Sequence, residues 1–146
     1  MKALIAILLF SILTATSSWG ICSVSSSGFS FVVDPAQPLT DTIGSVTVIC
    51  NTTTNYTLTL STGSSSVYQS RTLHRVNNGA ALPYNLYPSP GAVGVLGDGT
   101  SGTNIITGTA TANVPATHTL YGRISGAQNA SVGAYSDNVV ATLTYQ

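Results

Sequence analysis

The chain has 146 residues, enough for one domain with a core of its own. Only 5% of them are charged, against roughly 25% in ordinary soluble domains, there is no Glu, and the formal net charge is zero. Lys2 and the scattered Arg71, Arg75 and Arg123 build no basic patch, which argues against nucleic acid as a partner. Polarity rests instead on Ser, Thr, Asn and Gly, a surface that hydrogen-bonds without repelling copies of itself.

The N-terminus reads as an export signal. Lys2 supplies a positive start, Ala3 to Leu13 an apolar run, and Thr14 to Gly20 a small-residue stretch suited to cleavage. The apolar run is shorter than the about 20 residues that a membrane span needs. Residues 1–20 are therefore assigned to a signal peptide and residues 21–146 to one mature domain without a membrane span. Ile21, not a small residue, precedes Cys22, which argues against lipoprotein processing. In an exported protein the isolated pair Cys22 and Cys50 reads as one disulfide, joining the first strand to the end of the second. Closing that loop stabilises the fold by roughly 3–4 kcal/mol on a chain-entropy argument.

Beyond Cys22, Phe29, Phe31 and Val33 share one face of a predicted first strand, which Asp34 to Pro38 breaks. Ile43 to Cys50 resumes the pattern, with Val46, Val48 and Cys50 pointing together. After a polar turn at Asn51 to Asn55, Tyr56, Leu58 and Leu60 alternate with Thr57 and Thr59. The two runs together predict a hairpin. Tyr68 to Val76 is mixed; Arg71, Leu73 and Arg75 share a face of what reads as an edge strand. Asn77-Asn78-Gly79 is a turn, and Leu82 to Tyr87 a strand entered through Pro83. Pro88 to Thr103 is rich in loop residues, tightest at Gly97 to Thr100. Within it Ala92 to Leu96 reads either as an exposed apolar tip or as a segment folded back on the body. Ile105 to Ala112 and Thr117 to Ile124 are further strands, the latter with His118, Leu120, Gly122 and Ile124 on one face.

The last strand is the most regular. From Asn138 onward, Val139, Ala141, Leu143 and Tyr145 fall on one face and Asn138, Val140, Thr142 and Thr144 on the other. An apolar terminal strand exposes unpaired N–H and C=O groups unless something pairs with it. The expectation is that it forms one wall of a site where another chain's strand docks. No apolar period of 3.6 residues occurs outside the leader. Short strands separated by Gly, Asn, Ser and Pro argue for an all-β antiparallel sandwich, with a closed barrel as the alternative.

Catalysis has little to draw on. His74 and His118 lie in strand patterns, no Gly-x-Ser-x-Gly elbow exists, and the four Asp are far apart in sequence. No catalytic residue is assigned. Without Cys-x-x-Cys spacing or a His cluster no metal site is expected, Asp98 alone falls far short of a calcium shell, and nothing calls for a cofactor. Tyr84, Tyr87 and Tyr121 offer a sugar- or surface-binding patch; the plainer alternative places one ring of Tyr84 or Tyr87 in the core, since those two point to opposite faces.

Taken in order, several pieces resemble the spore coat protein U domain of secreted, archaic chaperone–usher pilus subunits. They are the early Cys22 with its Ser-rich sequel, Gly44-Ser-Val-Thr-Val-Ile-Cys50, Tyr84-Asn-Leu-Tyr87, Gly97-Asp-Gly-Thr100, Leu120-Tyr-Gly-Arg-Ile124, Gly133-Ala-Tyr-Ser-Asp-Asn-Val139 and the terminal Tyr145. The resemblance implies an immunoglobulin-like sandwich without its last strand. Its partners would be a periplasmic chaperone, an outer-membrane usher and neighbouring subunits that donate a strand. Val139, Ala141, Leu143 and Tyr145 would form the acceptor edge, and Tyr135 and Asp137 the corner leading into it. Such a chain passes through the periplasm to a surface fibre or coat and serves adhesion or biofilm formation. The alternatives are a self-complete secreted sandwich that binds carbohydrate or a surface, and an exported hydrolase. One departure stands out: almost nothing separates Gly20 from Cys22, where polymerising subunits carry a donor strand. The expectation is a chain that accepts a strand and has none to give.

Overall fold

Alternating β-branched and polar residues give nine strands in the computed structural model, which describes residues 20–29, 31, 39–76, 79–125, 131 and 134–146. They are β1 (Cys22–Ser26), β2 (Leu39–Cys50), β3 (Thr54–Leu60), β4 (Arg71–Arg75), β5 (Ala81–Tyr87), β6 (Ile106–Ala110), β7 (Ala116–Ser125), β8 (Tyr135–Ser136) and β9 (Ala141–Tyr145). A single 3-10 turn at Tyr68–Ser70 precedes β4. Residues 1–19 of the expected signal peptide, Val33, the break at Asp34 to Pro38 and Asn77-Asn78 of the expected turn lie outside the described residues. Among those residues no helix is long and apolar enough to cross a membrane.

Two antiparallel sheets stack face to face in an immunoglobulin-like sandwich. One has the order β1-β2-β7-β5-β4-β8, the other β6-β3-β9. Alternation decides what each strand buries. Val46, Val48 and Cys50 of β2, Leu82, Tyr84 and Leu86 of β5, and Leu120 and Ile124 of β7 line one inner face. Tyr56, Leu58 and Leu60 of β3 face them from the other sheet. Cys22 and Cys50, directly opposed in the β1–β2 ladder, are joined by a disulfide.

Three local expectations are corrected, and one open alternative is decided. The β2 and β3 runs do not pair as a hairpin: β2 bonds to β1 and β7, whereas β3 bonds to β6 and β9. The polar turn between them is a crossing from one sheet to the other, held by Asn113 N–H to Cys50 O at 2.8 Å. β4 is not the outermost strand, because the two-residue β8 pairs with its outer side. Phe29 and Phe31 lie beyond β1, after Gly28 turns the chain at φ 70°. The apolar segment before Gly97 folds back, burying Val95 and Leu96 through a parallel bridge from Leu96 to Asn104 and leaving only Val93 strongly exposed.

Candidate functional site

Among the described residues β9 is paired on one side only. Its ladder with β3 sets Tyr145 opposite Tyr56, Leu143 opposite Leu58 and Ala141 opposite Leu60. The flanking bonds, Ser61 N–H to Val140 O at 2.9 Å and Gln146 N–H to Asn55 O at 3.4 Å, show which positions aim at β3. In an antiparallel pair those positions alternate, so Thr142 and Thr144 also point their backbone groups at β3. It follows that the N–H and C=O groups of Ala141, Leu143 and Tyr145 point the other way. No described strand meets them there.

Among the described residues the other sheet ends at β1, which pairs only with β2 and comes up beside β9. Between these two free edges runs a cleft of about 660 Å³. Its floor is the buried core itself: Val46, Leu60, Leu73, Tyr84, Leu86 and Leu120. Val24 to Ser26 line one side and Ala134 to Ala141 the other. Val139, Ala141 and Leu143 are half-buried against the core, while Tyr145, at 38% exposure, stands at the rim.

Asp137 fixes the corner between β8 and β9. Its Oδ1 accepts from Ser64 N–H at 2.7 Å and Asn138 N–H at 2.8 Å, and its Oδ2 accepts from the Tyr84 hydroxyl at 2.7 Å. Burial pushes this carboxyl up, but the hydrogen bonds from Tyr84, Ser64 and Asn138 outweigh it and hold it below the ordinary aspartate range. Burial, and then the bond to Asp137, raise the Tyr84 hydroxyl well above the usual phenol range. Gly63 sits against the same carboxylate at φ 69°, where a Cβ would collide with Asp137 Oδ2. Tyr135, half-buried in β8, opposes Arg75 and donates its hydroxyl to Ser131 O at 2.8 Å. Tyr135, Asp137, Val139 and Ala141 thus line the cleft, while Leu143 and Tyr145 continue β9 beyond its lining.

Two features escaped sequence reasoning. Arg71 is fully buried at 0% exposure. It donates to Ser61 O from Nε at 3.0 Å and Nη2 at 2.7 Å, to Leu96 O from Nη2 at 2.7 Å, and to Asn85 Oδ1 from Nη1 at 2.8 Å. It also lies 5.4 Å from the Tyr68 ring centroid. Burial lowers its affinity for the proton, and Tyr84, Tyr68 and Asp137 counter that effect. The second feature is Phe31, which packs edge-on to Tyr84 at 5.8 Å and covers the inner face of Gly122, where a Cβ would come 2.7 Å from its Cζ. A small residue within an otherwise apolar inner face was the available signal for that close approach.

His118 is half-buried, its ring 2.6 Å from the Tyr56 hydroxyl and edge-on to that ring, and burial lowers its pKa. Among the described residues no carboxylate is hydrogen-bonded to it, and His74 is exposed on β4. Among the described residues no cluster of three or more His, Cys, Asp or Glu could hold a metal ion.

The model of the Spore Coat Protein U domain family matches residues 8–142. A solved structure with the same fold is one chain of the complex titled "CsuC-CsuE chaperone-tip adhesion subunit pre-assembly complex from archaic chaperone-usher Csu pili of Acinetobacter baumannii". The two share 17% identity at a TM-score of 0.61, over 86% of this chain and 40% of that one, so this chain spans less than half the length of its structural neighbour. No curated protein matches. The extent of the family match decides membership: this chain belongs to the Spore Coat Protein U domain family.

Proposed function

We propose that this family member is a structural subunit of a surface fibre or coat, assembled on a chaperone–usher pathway by accepting a donated β-strand. The observation that carries the reading is the β9 edge: the backbone groups of Ala141, Leu143 and Tyr145 that point away from β3 meet no described strand, and Ala141 lines a cleft whose floor is the hydrophobic core. A strand lying between β1 and β9 supplies the missing backbone partners, and its alternate side chains cover Val46, Leu60, Leu73, Leu86 and Leu120. A periplasmic chaperone fills the cleft first, and a neighbouring subunit replaces it after delivery to the outer-membrane usher. Residues 1–20 direct export, and the assembled product serves adhesion or biofilm formation at the cell surface. The structural neighbour supports this reading, since its title pairs a chaperone with a pilus subunit.

The test is thermal unfolding of the exported chain with and without a synthetic donor peptide of alternating apolar residues. A ligand that binds only the folded state stabilises it by about 2.7 kcal/mol at 100 times its Kd. A dose-dependent rise in Tm is expected, and a scrambled peptide of the same composition should give none. A melting curve indifferent to the donor peptide would contradict the proposal.

A further inference from the structure

The outer face of the six-stranded sheet, turned away from the strand cleft, carries a second built feature. Strands β2, β7 and β5 place two cross-strand rows beside each other. Ile43, Tyr121 and Tyr87 are in direct register in one row; Asp41 and Arg123 oppose each other in the next. The pair is a fork, with Arg123 Nε to Asp41 Oδ1 at 2.6 Å and Nη2 to Asp41 Oδ2 at 2.7 Å. Arg123 Nη2 also donates to Pro90 O at 3.2 Å, which ties the loop after β5 to this wall. Ser89, Pro90 and Ala92 then overhang the tyrosine row and enclose a cleft of about 480 Å³. That is within the roughly 300–1,000 Å³ of small-molecule sites.

We propose that this cleft binds a neutral saccharide, one or two pyranose rings lying on Tyr121 and Tyr87 with hydroxyls turned to the Asp41–Arg123 fork. The ring faces of tyrosine are electron-rich and attract the weakly positive C–H groups that line one face of a pyranose. Ile43, 67% exposed, extends that apolar floor. At the wall the fork offers opposite functions side by side. The carboxylate oxygens retain acceptor sites after taking one bond each from Arg123, and Nη1 retains its donors among the described residues. Adjacent sugar hydroxyls, each a donor and an acceptor, fit both at once. The charges cancel within the fork, so an anion gains no uncompensated cation there and a cation no free carboxylate. The choice falls on an uncharged polyol. This inference is independent of strand donation, because none of its residues faces the β9 edge.

The test is amide NMR of the labelled, exported chain titrated with methyl glycosides of glucose, galactose, mannose and N-acetylglucosamine, and with N-acetylneuraminic acid as the anionic control. At least one neutral glycoside is expected to give saturable shifts confined to Ile43, Tyr87, Tyr121 to Arg123 and the 89–92 loop. Tyr87→Ala and the exposed-site change Asp41→Ala should each weaken it about tenfold, with the melting temperature of Asp41→Ala close to that of the parent. Added salt should change the affinity little. Overturning results are an absence of saturable shifts with all four glycosides, a preference for the acid, shifts that map elsewhere, or unweakened binding by Asp41→Ala. Concentration-dependent shifts of the same amides without sugar would instead assign the cleft to a second copy of the chain, and also overturn the proposal.

Discussion

Arg71 and the outer edge of β9 handle polar groups in opposite ways within one small sandwich. At Arg71 a charge is taken wholly out of water, and two backbone carbonyls, an amide oxygen and a tyrosine ring close around it. At β9 the backbone groups of Ala141, Leu143 and Tyr145 meet no described strand, although the core lies directly beside them. Unmade hydrogen bonds in a buried place are costly. A chain that surrounds a buried guanidinium with four hydrogen bonds, yet whose β9 edge meets no described strand beside its own core, is closed at one end and waiting at the other. The difference separates what holds the subunit together from what joins it to another.

The largest expected effect is at the closed end. Arg71→Met keeps the apolar stem but leaves Ser61 O and Leu96 O without the guanidinium donor and Asn85 Oδ1 with Leu86 N–H alone. A loss of about 3 kcal/mol in chemical unfolding follows, whereas a loss under about 1 kcal/mol would break the comparison. Reduction of the disulfide, or Cys50→Ser, comes next at about 2 kcal/mol, because residual structure in the unfolded chain lowers the loop-entropy figure. That loss should appear with and without a donor strand, since Cys22 and Cys50 join β1 to β2.

Asp137 stands between the two regions. Its carboxyl is held below its ordinary range in the folded chain. Its contribution is therefore fully present above the unfolded aspartate value and is lost as pH falls through the lower folded one. Solvent reaches much of this group, which limits the effect to about 1 kcal/mol. Asp137→Asn should lose that amount at neutral pH and show a flatter stability curve on the acidic side; an unchanged acid profile would remove Asp137 from the corner's support. The smallest effect belongs to the exposed fork, where Asp41→Ala should cost about 0.5 kcal/mol or less.

The faces of the strands were legible because side-chain alternation carries them directly: Val46, Val48 and Cys50, Leu82, Tyr84 and Leu86, and Leu58 with Leu60 are all inward. The regularity of the last strand likewise announced β9. Pairing was less legible than facing. The polar turn after Cys50 is compatible with a return hairpin or a crossing, and the contact that decides, Asn113 to Cys50, comes from far along the chain. Arg71 read only as sharing a face of an edge strand with Leu73 and Arg75; its burial went unread because its partners are carbonyls of Ser61 and Leu96 and the amide of Asn85, groups no local pattern brings together. The outer cleft was half legible: Tyr87 and Tyr121 stood with Tyr84 as a candidate patch, but only the register of β7 and β5 makes those two neighbours and turns Tyr84 into the core.

Amide hydrogen exchange resolved by residue tests the central claim most directly. In the free chain Ala141, Leu143 and Tyr145 should exchange fast while Thr142 and Thr144, bonded to β3, are protected. With a donor peptide bound, the three fast amides should slow to the rates of their neighbours. Slow exchange at all five positions in the free chain, or rates at the three that the peptide leaves untouched, would contradict the account.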